Sequence, residues 1–82
     1  NPFAAPGSIE YLIPERGRVT VEVFDVGGRM VSRVYRGVQD EGVHRLTWSA
    51  TNDRGGELPS GVYFVRVRIG HAEGVCKLVL VR

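Results

Sequence analysis

The chain has 82 residues, a formal net charge of +2 and 43% hydrophobic residues, a composition typical of one small globular domain with a core. Its apolar runs fall well short of the ~20 residues that a transmembrane helix needs. The N-terminal residues lack the basic flank and apolar run of a signal peptide, so we expect the export signal of a secreted parent protein to lie upstream. The small basic excess is dispersed along the chain and is too mild to indicate nucleic-acid binding.

Residues 1–7 carry two prolines and a glycine before any strand pattern begins. This composition predicts a linker that enters a single domain over residues 8–82, with Phe3 packed against the domain. The first strand is predicted over residues 8–13, where side chains alternate until Pro14 stops the pattern. This segment is predicted to be a short edge strand.

Two strands joined by a glycine turn are predicted next. Residues 18–26 alternate clearly, and Gly27 and Gly28 supply the positive φ angles of a tight turn. One face of this strand carries three valines: Val19, Val21 and Val23. Residues 30–35 are predicted to be the returning strand, and residues 36–42 a polar loop.

A further strand is predicted over residues 44–49, because His44, Leu46 and Trp48 share one face. We expect Trp48 to anchor the core, since a large aromatic side chain on an apolar strand face is usually buried. Residues 51–57 are a turn by composition.

The closing hairpin is the strongest signal in the sequence, with strands over residues 60–69 and 75–82 split by a turn over residues 70–74. The second of these strands is apolar on both faces except at Lys77. It is therefore predicted either to lie in the middle of a sheet or to dock a partner. Cys76 on this strand is predicted to be a small buried hydrophobe. Turn signals recur roughly every ten residues without helical spacing, which predicts an all-β sandwich.

The residues that carry catalytic chemistry are few and scattered. His44 begins a strand and His71 lies in a hairpin turn, and neither has a nucleophile and an orienting acid in its pattern. The acids are not paired as glycoside hydrolysis requires. Asn52 and Asp53 have oxygen atoms that suit calcium, but the acid spacing of a calcium loop is absent, and hydrogen bonds within the turn are the favoured interpretation. The sequence therefore predicts a domain that is not an enzyme and needs no cofactor or metal.

Two surface interpretations stay open. Basic residues on strand faces form either one patch for acidic glycans, lipid headgroups or nucleic acid, or a solvated outer face, which is the favoured interpretation. These residues are Arg33, Arg45, Arg66, Arg68 and Lys77. Carbohydrate binding is a less favoured interpretation. It would use aromatic residues that the strand alternation places on exposed faces: Phe24, Tyr35 and Phe64.

Six motifs in order resemble a known group of domains. They are Asn1-Pro2-Phe3 and residues 23–29, 42–48, 52–55, 60–64 and 77–82. Together they resemble the C-terminal sorting domain of the type IX (Por) secretion system and the similar Ig-like domain of the flagellar hook-capping protein. The chain departs from this pattern at Ala4 and Ala5, in the predicted linker, and at Ser49 and Ala50, where the predicted strand gives way to a loop.

The resemblance implies an Ig-like antiparallel β-sandwich of about seven strands. It implies a non-catalytic secretion and cell-surface sorting domain at the end of a larger exported protein. The implied partners are the type IX machinery at the outer membrane and a covalently fused upstream cargo domain, for example a secreted hydrolase. The implied location is the medium or the cell surface, reached via the periplasm.

The resemblance places the sorting signal on the last strand, at Lys77, Leu78, Val79, Leu80, Val81 and Arg82. The supporting hairpin is implied at Gly61, Val62 and Tyr63. Two alternatives stay open, because a fold does not by itself define a function. One is a structural or assembly Ig-like module of an extracellular protein, and the other is an accessory carbohydrate-binding module.

Overall fold

A computed structural model describes residues 2–82, and this part of the chain forms seven strands and no helix. None of its elements is therefore a helix long and apolar enough to cross a membrane. The strands are β1 (Pro2–Ala4), β2 (Gly7–Ile13), β3 (Gly17–Asp25), β4 (Met30–Gln39), β5 (Gly42–Trp48), β6 (Gly61–Ile69) and β7 (Ala72–Val81).

The strands form a five-stranded sheet in the order β1-β7-β6-β3-β4 and a two-stranded sheet of β2 and β5. All neighbouring strands are antiparallel except β1 and β7, which run parallel. The strand β6 connects the two hairpins of the larger sheet, because it pairs with both β3 and β7. The predicted all-β sandwich is confirmed.

The core lies between the two sheets and follows the predicted strand faces. The three valines of β3 on the predicted inner face are fully buried: Val19, Val21 and Val23. Trp48 is 5% exposed and packs in the same cluster, so its predicted role as a core anchor is confirmed. Phe3 packs against this cluster with its ring centroid 5.8 Å from that of Trp48.

Three segments differ from the sequence prediction. The turn predicted over residues 70–74 ends earlier, because residues 72–74 already belong to β7 and pair with residues 67–69 of β6. Residues 2–4, predicted as part of a linker, form β1 and pair with residues 79–81, while Asn1 of the predicted linker lies outside the described residues. The polar loop predicted from residue 36 begins later, because residues 36–39 continue β4 opposite residues 17–20 of β3. An edge strand accepts polar side chains, so their polarity did not indicate where β4 ends.

The turn between β3 and β4 is held by Asp25. Its Oδ1 accepts hydrogen bonds from the backbone N–H groups of Gly27 and Arg29, each at 3.0 Å. The N–H of Arg29, together with that of Gly27 and the Arg29 charge, lowers the pKa of the Asp25 carboxyl against a smaller opposing effect of desolvation. Of the two glycines, only Gly28 has a positive φ, at 85°.

Candidate functional site

The last strand, β7, pairs with β6 from Ala72 to Leu80, but it pairs with β1 only at residues 79–81. Residues 61–63, the supporting hairpin of the sequence interpretation, lie directly opposite Leu80, Val79 and Leu78 of β7. Leu78 and Leu80 point into the core and are buried. The two implied segments therefore lie side by side in one sheet.

The end of β7 is anchored by Arg82. Its backbone N–H donates to Ser60 Oγ at 2.9 Å, and its guanidinium donates to the carbonyl oxygens of Leu58 and Ala50, the latter at 2.6 Å. Leu58 and Ala50 are themselves buried. These bonds tie the end of β7 to the connection between β5 and β6.

The outward face of this half of β7 carries a strip that we call the terminal stripe: Lys77, Val79 and Val81. Side chains alternate between the faces of a strand, and the neighbouring Leu78 and Leu80 point inward, so the stripe lies on the face away from the second sheet. Lys77 is exposed, Val81 is 49% exposed, and Val62 of β6 lies beside Val79. The terminal stripe is thus an apolar surface with one positive charge on a fixed backbone.

The first half of β7 lies beside an opening in the sandwich. A groove of about 590 Å³ runs between β2 and β7, with Ile9, Tyr11 and Val65 among its walls. Cys76 lines this groove and is exposed, so the prediction that it is buried is wrong. The strand pattern gave the correct face for Cys76. Its burial depends on how far the second sheet extends over β7, which the pattern does not encode.

A carboxylate beneath three arginines occupies the outer face of the larger sheet. Glu22 of β3 is only 3% exposed. Its Oε1 accepts a hydrogen bond from Arg66 Nη2 at 2.6 Å and lies 3.6 Å from Arg68 Nη2, while its Oε2 lies 3.6 Å from Arg33 Nη2. The arginine guanidinium groups therefore cover a carboxylate that would otherwise face solvent.

The arginines determine the protonation of Glu22. Burial raises the pKa of the Glu22 carboxyl, but the hydrogen bond from Arg66 and the charges of Arg66, Arg68 and Arg33 together outweigh burial and hold the pKa below its usual value. The carboxylate is therefore ionised at neutral pH, and the cluster as a whole carries an excess of positive charge.

The predicted basic patch forms only in part. Arg33, Arg66 and Arg68 converge on Glu22, whereas Arg45 lies in the other sheet with its Nη2 2.8 Å from Glu10 Oε2. The strand pattern did not single out Glu22. Glu22 can be recognised from its position directly opposite Arg66 in the β3–β6 pairing. That position is known only when the register of two strands far apart in the sequence is known.

The three aromatic residues considered for carbohydrate binding do not form one platform. Phe24 and Phe64 lie opposite each other on the outer face, and the guanidinium carbon of Arg66 lies 4.7 Å from the centre of the Phe24 ring. Tyr35 packs instead against the core cluster. A flat sugar-binding surface made of these three residues is therefore not present.

The two histidines lie apart. His44 Nε2 is 2.7 Å from the backbone oxygen of Asp40, and the His44 ring stacks on Tyr11 at a centroid distance of 5.9 Å. His71 lies in the turn between β6 and β7. Within residues 2–82, no three His, Cys, Asp or Glu side chains are grouped so that they could hold a metal ion.

The turn after β5 is held by its own polar side chains. Asn52 Oδ1 accepts hydrogen bonds from the backbone N–H groups of Arg54 and Gly56, each at 2.9 Å. Asp53 Oδ1 accepts one from the N–H of Arg33 in β4 at 2.8 Å. The prediction of hydrogen bonds within the turn is thus confirmed for Asn52, whereas Asp53 bonds to β4 outside the turn.

These features define a class of protein: a five-stranded sheet packed on a two-stranded sheet, with a groove at a strand edge, is an Ig-like β-sandwich module. The family model of the FlgD Ig-like domain matches residues 4–72, and the chain belongs to this family. It is a structural Ig-like module. The matched region ends at the first residue of β7, so most of the terminal strand lies beyond it.

Two solved structures share the fold. FlgD from P. aeruginosa is 20% identical with a TM-score of 0.71, over 90% of this chain and 62% of that chain. PorZ, described as an essential bacterial surface component of the type-IX secretion system of Porphyromonas gingivalis, is 22% identical with a TM-score of 0.55, over 80% of this chain and 8% of that chain.

This chain thus spans less than two thirds of either protein, and at these identities the likeness concerns the fold. No curated protein matches the chain significantly. The resemblance to the Ig-like domain of the flagellar hook-capping protein, first seen in the motifs, is confirmed by the family match, and the likeness to PorZ is one of fold.

Proposed function

We propose that this domain is a secretion and cell-surface sorting module of a larger exported protein, and that type IX secretion machinery recognises the terminal stripe. The observation that carries the proposal is the way β7 is held. Leu78 and Leu80 are buried beneath the stripe and Arg82 is tied to carbonyl oxygens, while Val81 remains 49% exposed.

A surface held in this way is suited to recognition. The backbone of the terminal stripe is ordered before any partner arrives, so binding does not have to offset the entropy of ordering it. The exposed Val81 and the half-buried Val79, beside a single lysine, offer an apolar contact with one charge to fix its orientation. The motif resemblance and the fold likeness to PorZ, a type IX surface component, support this choice of partner.

The proposal includes two partners and a location. One partner is the type IX machinery at the outer membrane, and the other is a cargo domain fused upstream of β1. The parent protein passes through the periplasm and ends at the cell surface or in the medium. The sorting contacts are made by Lys77, Val79 and Val81, with residues 61–63 supporting them from β6.

The test is export of a periplasm-directed fluorescent protein fused to this domain, in a bacterium that has type IX machinery. Lys77→Ala and Val81→Ser should each reduce surface or medium fluorescence. Val43→Ser is the matched control, because Val43 is a 67% exposed valine on a strand of the other sheet. Each variant must first show the wild-type melting temperature, so that unfolding is not mistaken for lost recognition. Export of both stripe variants at the wild-type level would contradict the proposal.

A second candidate is a structural or assembly module that only spaces or joins domains. It is favoured by the FlgD-family match, which ends before most of the terminal strand. The same reporter separates the two candidates when the domain is replaced by an unrelated Ig-like sandwich of similar size. Export that survives the replacement supports a spacer, and export that is lost supports sorting.

A further inference from the structure

The edge of β7 is covered over only part of its length. On the side away from β6, β1 pairs with residues 79–81, and no other described strand pairs with β7 there. Among the described residues, β1 begins at Pro2, which lies opposite Val79. Among residues 2–82, therefore, residues 72–78 have no strand partner on this side, and their backbone donors and acceptors form a template for another strand.

The open stretch is complementary to itself. Its middle residue is Val75, which is 57% exposed. An antiparallel pairing about Val75 places each residue opposite the one equally far on the other side of the centre. Glu73 then lies opposite Lys77, Gly74 opposite Cys76, and Ala72 opposite Leu78. Opposite charges that face each other across a strand pair stabilise that pairing.

We propose that two copies of this chain pair through residues 72–78 of β7, antiparallel and centred on Val75. The interface is symmetric, because the same surface is used on both copies. It contains two ion pairs, each between Glu73 of one copy and Lys77 of the partner subunit. The two β7 strands join the larger sheets of both copies into one continuous sheet.

The groove gives the pairing a second source of stability. Directly opposite residues of an antiparallel pair lie on the same face of the sheet, so the core faces of the two copies lie on the same side. Cys76 and Leu78, which line the groove, then meet the partner's Gly74 and the partner's Ala72, whose small side chains leave room for the approach. The grooves of the two copies open toward each other, and their apolar walls lose contact with water.

The charged residues that usually protect an edge favour this particular partner. A lysine on an edge strand discourages pairing when it meets another positive charge. In the centred register Lys77 meets the partner's Glu73, so its charge is matched, whereas a shift of two residues along the strand breaks both ion pairs. The charges thus select one register.

The first test is the sedimentation of the 82-residue chain from about 5 to about 500 µM, where an interface smaller than ~1,200 Å² is expected to associate weakly. The mass should rise with concentration from the 9.1 kDa of one chain toward twice that value. Glu73→Lys alone and Lys77→Glu alone each bring like charges together and should weaken the dimer about tenfold. The double variant restores opposite charges and should recover the wild-type association.

The second test is disulfide trapping. Val75→Cys in a Cys76→Ser background places two thiols opposite each other at the symmetry axis. Directly paired residues have Cα atoms about 4.5–5.5 Å apart, which a disulfide can span. Under mild oxidation this variant should form a covalent dimer much faster than Val43→Cys in the same background, whose thiol is comparably exposed on the other sheet.

A chain that stays monomeric at the highest concentration, with the two cysteine variants oxidising at the same slow rate, overturns the proposal. A dimer that is insensitive to charge reversal at residues 73 and 77 also overturns it, because the contact then lies elsewhere. Each variant is compared with the wild type by circular dichroism, so that loss of association is scored only in folded protein.

Discussion

Replacement of Glu22 by glutamine should be among the most costly single polar changes in this domain. The substitution keeps the shape of the side chain but removes the negative charge beneath Arg33, Arg66 and Arg68. A hydrogen bond to a charged group contributes about 1.5–3 kcal/mol, and breaking a fully buried pair costs about 3–5 kcal/mol.

The smaller range applies here, because the three arginine side chains are 28–46% exposed and solvent screens their repulsion. We therefore expect a loss of about 2 kcal/mol of unfolding free energy. For a domain of this size that loss lowers the melting temperature by roughly 8–16 °C.

The pH dependence gives an independent measure of the same cluster. The pKa of Glu22 is lowered from its usual 4.5 in the folded chain, so its contribution to stability is fully present above pH 4.5 and is lost as pH falls through the folded pKa. The difference in unfolding free energy between wild type and Glu22→Gln should be largest near neutral pH and should shrink below pH 4.5. Urea denaturation at a series of pH values measures this difference.

The matched control is Glu10→Gln, which removes an exposed carboxylate paired with Arg45. An exposed ion pair contributes about 0–1 kcal/mol, so this change should leave the unfolding free energy nearly unchanged. If both variants lose the same small amount, or if Glu22→Gln unfolds with the pH profile of the wild type, the reasoning about a buried carboxylate held by arginines is refuted.

Three further changes test other parts of the fold. Trp48→Ala should cost about 3–5 kcal/mol, measured by urea denaturation, because it empties a large volume in a core whose total stability is about 5–15 kcal/mol. Arg82→Ala should cost about 1–2 kcal/mol in the same assay by freeing the end of β7 from two carbonyl oxygens, and hydrogen exchange should rise there first. Gly28→Ala should cost about 1 kcal/mol because its φ of 85° is strained for alanine, whereas Gly74→Ala, which also has open space at its Cβ, should be nearly neutral.

Strand faces were predictable from the sequence because they depend on neighbours only two residues apart. The inward phase of Val19, Val21 and Val23 and the burial of Trp48 followed from alternation alone. The Glu22 cluster did not follow, because Glu22 and Arg66 are separated by 44 residues and meet only through the register of β3 and β6. Alternation identifies which face a side chain takes but not which strand lies beside it.

The environment of β7 was predictable only in part for a related reason. Its apolar faces indicated a strand that needs contacts on both sides, but the structure buries only the inward face, at Leu78 and Leu80, and leaves Val81 on the outer face 49% exposed. The open edge at residues 72–78 depends on β1, a strand of three residues that is too short to show any alternation. The exposure of Cys76 has the same origin, since it depends on what lies beyond the edge.

The two proposed uses of β7 approach it from different directions, and this makes them separable. A partner that reads the terminal stripe contacts the outer face at Val79 and Val81, where β1 already covers the strand edge. A second copy approaches in the plane of the sheet and contacts residues 72–78. Val81→Ser should therefore impair export and leave the dimer intact, while a dimer trapped through Val75→Cys should still display Val79 and Val81 on both copies, with Lys77 engaged in the ion pair.

The decisive experiment exports the fluorescent reporter carrying Val75→Cys with Cys76→Ser, since a disulfide can form in the oxidising periplasm. If this reporter is exported at the same level as the Cys76→Ser reporter while Val81→Ser remains defective, the machinery recognises the outer face of β7. A loss of export that a thiol reductant reverses means instead that the machinery needs the open edge, and that recognition occurs by strand addition in competition with a second copy.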